Sequence, residues 1–208
     1  MNRVKILFIS FIILFGLLVA VSCRTPGTYF IGVKYAGDPE TSIQGTALIG
    51  MQSFLDKREE ESKNYIGARI VGKDQKELFL SSSLSVADSV TSAFKEYAVK
   101  RGFEVKSISG WDFSPEGMRT VDKGLKYVVG GHIEKLRCDA TKRVGRTSMV
   151  LEIKIITYVG SVETGSVKKR PFEIKLTRTD PTFGASGLEK FVNEALAKII
   201  ANTLADLN

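Results

Sequence analysis

Residues 147–158 read TSMVLEIKIITY, and this stretch decides the class of fold. Apolar side chains recur at every second position from Met149 to Ile155, and Glu152 and Lys154 lie between them. Successive side chains of a β-strand point to opposite faces of a sheet, so the pattern predicts a strand with one buried and one solvated face. Strands of this kind are typical of antiparallel sheets.

Two further segments extend this sheet. The alternation returns in residues 171–178, where Phe172, Ile174 and Leu176 are expected to face the core. Residues 126–138 form a long strand that is apolar in its first half. Because the connections between these three strands are short, they can form an antiparallel meander.

Helical periodicity appears twice. In residues 85–101, apolar side chains recur at intervals of three and four, and Ser85 with Asp88 is close to a capping box. The chain closes with a second helix that has a wide apolar face, and Ser186 with Glu189 is predicted to form its capping box. Both helices are therefore expected to be amphipathic and to pack against the sheet.

These elements predict an α+β domain over residues 44–208. We expect an antiparallel sheet of about six strands with both amphipathic helices packed on one face. The shorter strands are predicted at 45–55, 66–71, 78–80 and 103–108.

The first 22 residues have the composition of a secretory signal peptide. Arg3 and Lys5 precede an apolar run over residues 6–21, and the chain then becomes abruptly polar. We therefore expect residues 1–22 to be a signal peptide, and the glycine- and proline-rich residues 23–43 to be a tether. Residues 29–35 could instead add a strand.

A cysteine directly follows the small residues at the end of this segment. Ala20-Val21-Ser22-Cys23 resembles the lipobox of bacterial lipoproteins, which implies cleavage before Cys23 and a lipid on its sulfur. Two alternatives stay open: an ordinary secretory signal, and an uncleaved membrane helix. The 16 apolar residues are fewer than the roughly 20 that cross a bilayer. In each case the polar part of the chain lies outside the cytoplasm.

The charge of the chain is moderately basic. Removal of the signal peptide with its two cations lowers the net charge from +7 to +5, which suits contact with an anionic membrane surface. No basic stretch is interleaved with aromatic residues, so nucleic acid is not an expected partner. Two basic clusters are candidates for contact with an anionic surface: Lys142, Arg143 and Arg146; Lys168, Lys169 and Arg170. Simple solubility also explains both clusters. A meander places them at opposite ends of the sheet.

The sequence offers little for catalysis. His132 is the single histidine, and if Cys23 is acylated, Cys138 is the one remaining thiol. They lie on one predicted strand, about 20 Å apart at ~3.3 Å per residue, too far for a dyad. A bulge is predicted at Gly130-Gly131. We expect no catalytic residues, no cofactor and no metal site.

The order of short motifs resembles the YajG-like family of bacterial outer-membrane lipoproteins. The motifs are Asp56-Lys57-Arg58, residues 78–81 before the first helix, Lys100-Arg101-Gly102-Phe103 at its end, and residues 199–202 in the last helix. This resemblance covers about residues 44–208 and implies location and fold, with no catalytic residues. A similar layout occurs in lipoproteins that assist envelope lipid transporters and lipopolysaccharide assembly.

The expected function is that of a lipid-anchored, non-enzymatic binding or assembly module. Its partners would be the membrane, through Cys23, and an envelope protein. The alternatives are an accessory subunit of an envelope lipid or lipopolysaccharide transport system, and a carboxylate-based hydrolase. Arg24, in place of an aspartate after the cysteine, favours an outer-membrane anchor with the domain facing the periplasm. The inner membrane and the cell surface stay open.

Overall fold

A computed structural model describes residues 27–37, 47–73 and 75–207. The predicted signal peptide and Cys23 lie outside the described residues. Within them the chain forms two α-helices and nine strands. The elements are β1 (Thr28–Ile31), β2 (Leu48–Gln52), β3 (Leu55–Asp56), β4 (Tyr65–Ile70), β5 (Lys76–Ser81), α1 (Val86–Lys100), β6 (Glu104–Ile108), β7 (Tyr127–Arg143), β8 (Arg146–Ser161), β9 (Val167–Asp180) and α2 (Ala185–Leu204).

The long strand β7 is the centre of the sheet. One edge pairs with β8 along its length, and β8 pairs with β9, so these three strands form the predicted antiparallel meander. The other edge of β7 pairs in turn with the short strands β2, β3 and β4, all parallel to it. A strand of 17 residues is long enough to hold three short neighbours on one edge.

The α+β class is confirmed, but the predicted sheet is wrong in its strand number and direction. Nine strands form a mixed sheet, in which β2 pairs parallel with β6 and β1 pairs parallel with β5. Parallel neighbours need a crossover connection. Between β2 and β6 that crossover includes α1, which returns the chain to the end of the sheet where β2 began.

The bulge in β7 lies after the predicted position. The register shifts between Ile133 and Lys135, not at Gly130-Gly131. One extra residue reverses which face each later side chain points to. We call the face covered by the helices the inner face and the opposite one the outer face.

The described part of the predicted tether is packed into the fold. Residues 28–31 pair with β5 as strand β1, and Ile31, Val33 and Tyr35 are buried in the main core. The alternative of an added strand at this position therefore agrees with the structure. The folded region includes residues 27–37.

Helix α1 begins as its sequence predicts. The Asp88 backbone N–H donates to the Ser85 hydroxyl at 3.0 Å, and that hydroxyl donates to the Asp88 carboxylate at 2.7 Å. Gly102 follows the helix with a φ of +97°, the left-handed conformation that favours glycine.

Helix α2 begins differently, and its predicted capping box is wrong. Gly184 precedes the helix, with no side-chain cap, so Ser186 lies inside the first turn. The Glu189 carboxylate instead accepts the backbone N–H of Gly32 at 3.0 Å. The polar side chain of Asn193 is buried; its amide accepts from the Lys34 N–H and donates to the Gly32 carbonyl. Both side chains bind the segment after β1 to α2.

Both helices contribute to one main core on the inner face. Val90 and Phe94 of α1, and Leu196 and Ile200 of α2, are fully buried in it. Arg101, also buried, joins the helix ends by donating to the Leu204 and Leu207 carbonyls. Cations are favourable at the C-terminal end of a helix dipole.

Neither of the two described α-helices has the length and the apolar composition that a membrane-spanning helix requires.

Candidate functional site

A charged cleft of about 770 Å³ opens on the outer face of the sheet. It lies between the segment after β3 and the middle of strands β7 and β8. Its lining residues are Lys57, Arg58, Glu59, Glu60, Glu134, Lys135, Leu136, Arg137, Asp139, Glu152 and Lys154. The cleft is therefore walled almost entirely by charged side chains.

The cleft follows from a gap in the strand pairing. On one edge of β7, the ladder to β3 ends at Ile133 and the ladder to β4 begins at Ala140. At Gly67 the chain comes back against β7 so closely that a Cβ there would lie 2.0 Å from the Cys138 carbonyl oxygen. Only glycine permits this approach. The backbone between these ladders needs hydrogen bonds from another source.

Arg58 supplies hydrogen bonds at this gap. Its guanidinium donates to the carbonyl oxygens of Tyr65 at 2.6 Å and Lys63 at 2.8 Å, and lies 3.5 Å from that of Leu136. It also forms a two-point pair with the Asp56 carboxylate, at 2.9 Å for each bond. Its side chain is 2% exposed. Arg58 therefore forms the floor of the cleft as a structural residue.

Asp56 is held ionised by this pair. Burial of the carboxyl opposes ionisation, but the hydrogen bonds and positive charge of Arg58 outweigh it, so the pKa of Asp56 lies below its ordinary value. The Arg58 backbone N–H also donates to this carboxylate at 3.1 Å.

Glu152 is the most strongly paired carboxylate in the wall of the cleft. Lys135 and Lys175, on the strands either side of it, both donate to its oxygens, the second at 2.8 Å. These hydrogen bonds lower the pKa of Glu152 to about 2. A carboxyl with so low a pKa holds no proton to donate at neutral pH.

Three other acids of the wall, Glu134, Asp139 and Glu60, have basic partners as well. Glu134, in the bulge, pairs with Lys154 at 3.2 Å. Arg137 pairs with both Asp139, at 2.7 Å, and Glu60, at 3.2 Å. The cleft is thus a network of ion pairs. It offers both signs of charge to a molecule that binds there.

Over the start of β7, the outer face is covered by the connection between β6 and β7. Trp111 is buried, and the Gln52 amide clamps its backbone by donating to the Trp111 carbonyl at 2.6 Å and accepting the Trp111 N–H at 2.8 Å. Phe113 stacks on Tyr158 of β8, with 4.8 Å between ring centroids. With Met118 these residues form a second, smaller core.

His132 lies between the covered region and the cleft. Its ring is 5.8 Å from that of Tyr158, and its Nε2 is 3.6 Å from the Glu134 carboxylate. Burial, and then the charge of Lys57, lower the pKa of the imidazole, so it is neutral at pH 7. Nδ1 has no hydrogen-bond partner among the described residues.

Cys138 belongs to the other side of the sheet. The bulge places it on the inner face, fully buried in the main core, while His132 points outward. Burial raises the pKa of the Cys138 thiol to about 12, so the sulfur is not a nucleophile at neutral pH. His132 and Cys138, already too far apart along the strand for a dyad, thus also lie on opposite faces of the sheet.

The two basic clusters lie at opposite ends of β8, as the meander predicts. Lys142, Arg143 and Arg146 lie at the exposed β7–β8 hairpin. At the other end, Lys168 pairs with Asp206 at 2.6 Å. Arg170 pairs with Asp206 and also donates to the Asn202 carbonyl in the last turn of α2. Lys169 is exposed.

Sequence reasoning missed the roles of Arg58 and Gln52. In the sequence, Arg58 was notable only as part of the short motif Asp56-Lys57-Arg58. Asp56 and Arg58, of opposite charge and two positions apart, were a weak local signal for their pair. Gln52 gave no signal, because its partner Trp111 is 59 residues away.

Among residues 27–37, 47–73 and 75–207, no group of three or more histidine, cysteine, aspartate or glutamate side chains is placed to hold a metal ion.

No protein-family model and no curated protein sequence matches this chain. Two of the solved structures that share its fold cover most of this chain. One is an uncharacterized protein, 12% identical, with a TM-score of 0.50 over 89% of this chain and 100% of that chain. The other is the DUF330 protein XCC0632 from Xanthomonas campestris, 11% identical, with a TM-score of 0.52 over 86% of this chain and 95% of that chain.

The lipoprotein GNA1162 from Neisseria meningitidis is a more distant likeness. It is 10% identical, with a TM-score of 0.41 over 75% of this chain and 99% of that chain. The resemblance to the YajG-like family is not confirmed by these comparisons. What they show is the fold: an α+β domain of a kind found in other bacterial proteins.

Proposed function

We propose that this protein is a lipid-anchored, non-enzymatic module of the bacterial cell envelope that binds or assembles with another envelope component. The observation that carries the proposal is the sequence Ala20-Val21-Ser22-Cys23 at the end of an apolar signal segment. Cys23 is the proposed lipid attachment site. Arg24 favours the outer membrane, with the domain facing the periplasm.

The charged cleft is the surface that we propose for the protein partner. Its side chains lie on the middle strands of the sheet and on a segment fixed by the buried Arg58, so they are presented from a rigid base. Ion pairs such as Arg137–Asp139 are partly exposed and can exchange partners with charged groups of another protein at small cost.

A hydrolase is a weaker candidate. A carboxylate-based hydrolase needs one carboxyl with a raised pKa as its general acid and a second as its base or nucleophile. In the cleft, Glu152 has a lowered pKa and is fixed by two lysines, and Glu134 pairs with Lys154. This arrangement favours a binding surface over an acid–base pair.

A lipid-handling accessory role is also weaker. Such a role needs room for an acyl chain between the helices and the sheet. Fully buried Phe79, Phe94 and Met149 fill the main core there, and the charged lining of the cleft is unsuited to an acyl chain.

The anchor is tested by labelling growing cells with radioactive palmitate and then isolating the protein. The wild type and Cys138→Ser, the matched control at the other cysteine, should both be labelled and found in the membrane fraction. Cys23→Ser should lose both the label and correct processing. Equal labelling and processing of all three proteins would overturn the proposed anchor.

The cleft is tested by photo-crosslinking in intact cells. A photoreactive residue at Lys154 in the cleft should capture a defined envelope protein. The same residue at exposed Lys198 on the solvent side of α2 serves as the control. A partner captured equally from both positions, or from Lys198 alone, contradicts the assignment of the cleft.

A further inference from the structure

One end of the sheet gathers three separate parts of the chain. Thr28 at the start of β1 pairs with Leu78 of β5, and Leu78 pairs with Ala68 of β4. Arg69, the next residue of β4, pairs with Ala140 of β7. The start of β1, the turn between β4 and β5, and the β7–β8 hairpin therefore lie at the same end.

This end is rich in exposed cations. We call it the basic end and define it by exposed Lys73, Lys76, Lys142, Arg143 and Arg146. None of these has an ion-pair partner among the described residues.

Two described acids near the basic end are compensated within the fold. Glu77 pairs with Arg69, and Asp180 pairs with Arg178. Asp74 belongs to the β4–β5 turn in the sequence and lies outside the described residues. An excess of positive charge remains, which is complementary to an anionic surface.

Apolar side chains are exposed at the same end. Val144, at the tip of the hairpin between Arg143 and Gly145, is fully exposed, and Ile70 and Leu78 are 47% and 41% exposed. A fully exposed apolar side chain among cations suits the interface of a bilayer, where it can leave water while the cations meet the headgroups.

The opposite end of the sheet differs. There, Lys168 and Arg170 are bound to Asp206, and Arg170 also to the end of α2. Two of the three cations of that cluster are thus occupied within the fold. The two clusters look alike in sequence, but the hairpin cluster is the one whose cations stay open to an external partner.

The position of the anchor matches the basic end. Cys23 lies four residues before Gly27, which limits their separation to about 14 Å. Gly27 directly precedes Thr28 at this end. Leu78 and Ala68 lie side by side in one row across the sheet, and Val144 lies five residues beyond that row, which is about 17 Å along β7. Along the strand direction, the hairpin tip therefore projects roughly 13 Å beyond Gly27. The chain between Gly27 and Cys23 is long enough to bring a lipid-bearing Cys23 to the level of that tip.

We propose that the basic end docks on the surface of an anionic lipid bilayer, with Val144 at the level of the headgroups and the opposite end of the sheet directed away. The inference rests on the proposed anchor at Cys23, which holds this end near the membrane. It adds an orientation: the charged cleft opens sideways, parallel to the membrane, and stays accessible to another protein.

The test measures the depth of a fluorophore in vesicles. The mature lipidated protein is labelled at Val144→Cys and, as the matched control on the opposite hairpin, at exposed Glu163→Cys. Cys138 is fully buried and does not compete for the label. Each protein is placed in vesicles of phosphatidylcholine with or without phosphatidylglycerol, and quenching by nitroxide-bearing lipids is recorded.

We expect strong quenching at position 144 in the anionic vesicles, weaker quenching without phosphatidylglycerol, and little at 163. Replacing Lys142, Arg143 and Arg146 by Gln should weaken docking roughly a hundredfold and reduce quenching at 144 to the level at 163. The anchored variant should stay on the vesicles.

Each outcome separates docking from anchoring. A lipidated, vesicle-bound protein without quenching at 144, or with equal quenching at both positions, overturns the docking and leaves the anchor intact. A protein without lipid on Cys23 that is still quenched at 144 in anionic vesicles retains the docking and overturns the anchor. Loss of both overturns both.

Discussion

The outer face of the sheet has two halves that are built in opposite ways. The half over the start of β7 is covered by Trp111, Phe113 and Met118, which exclude water from the strands beneath. The half beyond the bulge is open, and charged side chains over the buried Arg58 line it. Both halves lie on the same two long strands, β7 and β8.

The difference shows how one sheet face can serve two purposes. Apolar packing stabilises the covered half and leaves no surface for a partner. The open half is held by ion pairs, most of them partly exposed and therefore individually weak. The covered half is expected to contribute stability, and the open half a binding surface that can be altered with little loss of stability.

The largest effect should come from removing the centre of the covered half. Trp111→Ala deletes a buried aromatic side chain, and we expect a loss of about 4 kcal/mol in the free energy of unfolding. Urea denaturation followed by circular dichroism measures it. Trp111→Phe, which keeps an apolar ring, should cost about 1.5 kcal/mol or less. Equal, small losses for both variants would show that the cover contributes little.

Within the open half, Arg58 should be the one residue whose replacement causes a large loss of stability. Arg58→Ala leaves a partly buried carboxylate and several backbone carbonyls without a donor, so we expect a loss of about 3 kcal/mol. The matched control is Arg137→Ala, since Arg137 is 41% exposed, and it should cost less than about 1 kcal/mol. Similar losses for the two variants would show that Arg58 in the floor of the cleft contributes no more to stability than Arg137 in its wall.

The clamp between β2 and the cover should have an intermediate effect. Gln52→Leu keeps most of the side-chain volume but leaves the buried N–H and carbonyl of Trp111 without partners. We expect a loss of about 2 kcal/mol, and faster hydrogen exchange at the Trp111 amide by NMR. An unchanged exchange rate would mean that the clamp is not what holds the cover closed.

The smallest effect should be a pH dependence from Asp56. Its folded-state pKa lies below the ordinary value of 3.8, so the folded state favours the ionised form. The stabilisation is fully present above that value and is lost as the pH falls through the lowered folded-state pKa. The urea midpoint of the wild type should thus fall more steeply in acid than that of Asp56→Asn. Parallel curves for the two proteins would contradict a stabilising Asp56–Arg58 pair.

Much of the local structure could be predicted from local patterns. The alternation in residues 147–158 predicted a strand with Met149 and Leu151 buried, and Ser85 predicted the start of α1. These features depend on neighbours within a few positions along the chain. Where a local signal competed with a distant partner it failed: Glu189, expected to cap α2, instead binds the Gly32 backbone 157 residues away.

The candidate site was much less predictable. The cleft needs the gap beside β7 and the bulge at Glu134, and both depend on strands that meet only after folding. The pair of Arg58 with Asp56 is local in sequence, but its burial also depends on the folded sheet. A shift of a single residue in one strand decides which charges share a face. Composition and spacing do not contain that information.

The sequence by itself determined the strands of the meander, helix α1 and the α+β class, because side-chain periodicity encodes which face of an element leaves water. It also carries the signal and the cysteine on which the proposed anchor depends. Only the tertiary structure decided the parallel strands, the separation of His132 from Cys138, and which basic cluster stays open. These depend on contacts between residues far apart in the chain, such as Arg170 with Asp206, which form only when the sheet and the helices have packed together.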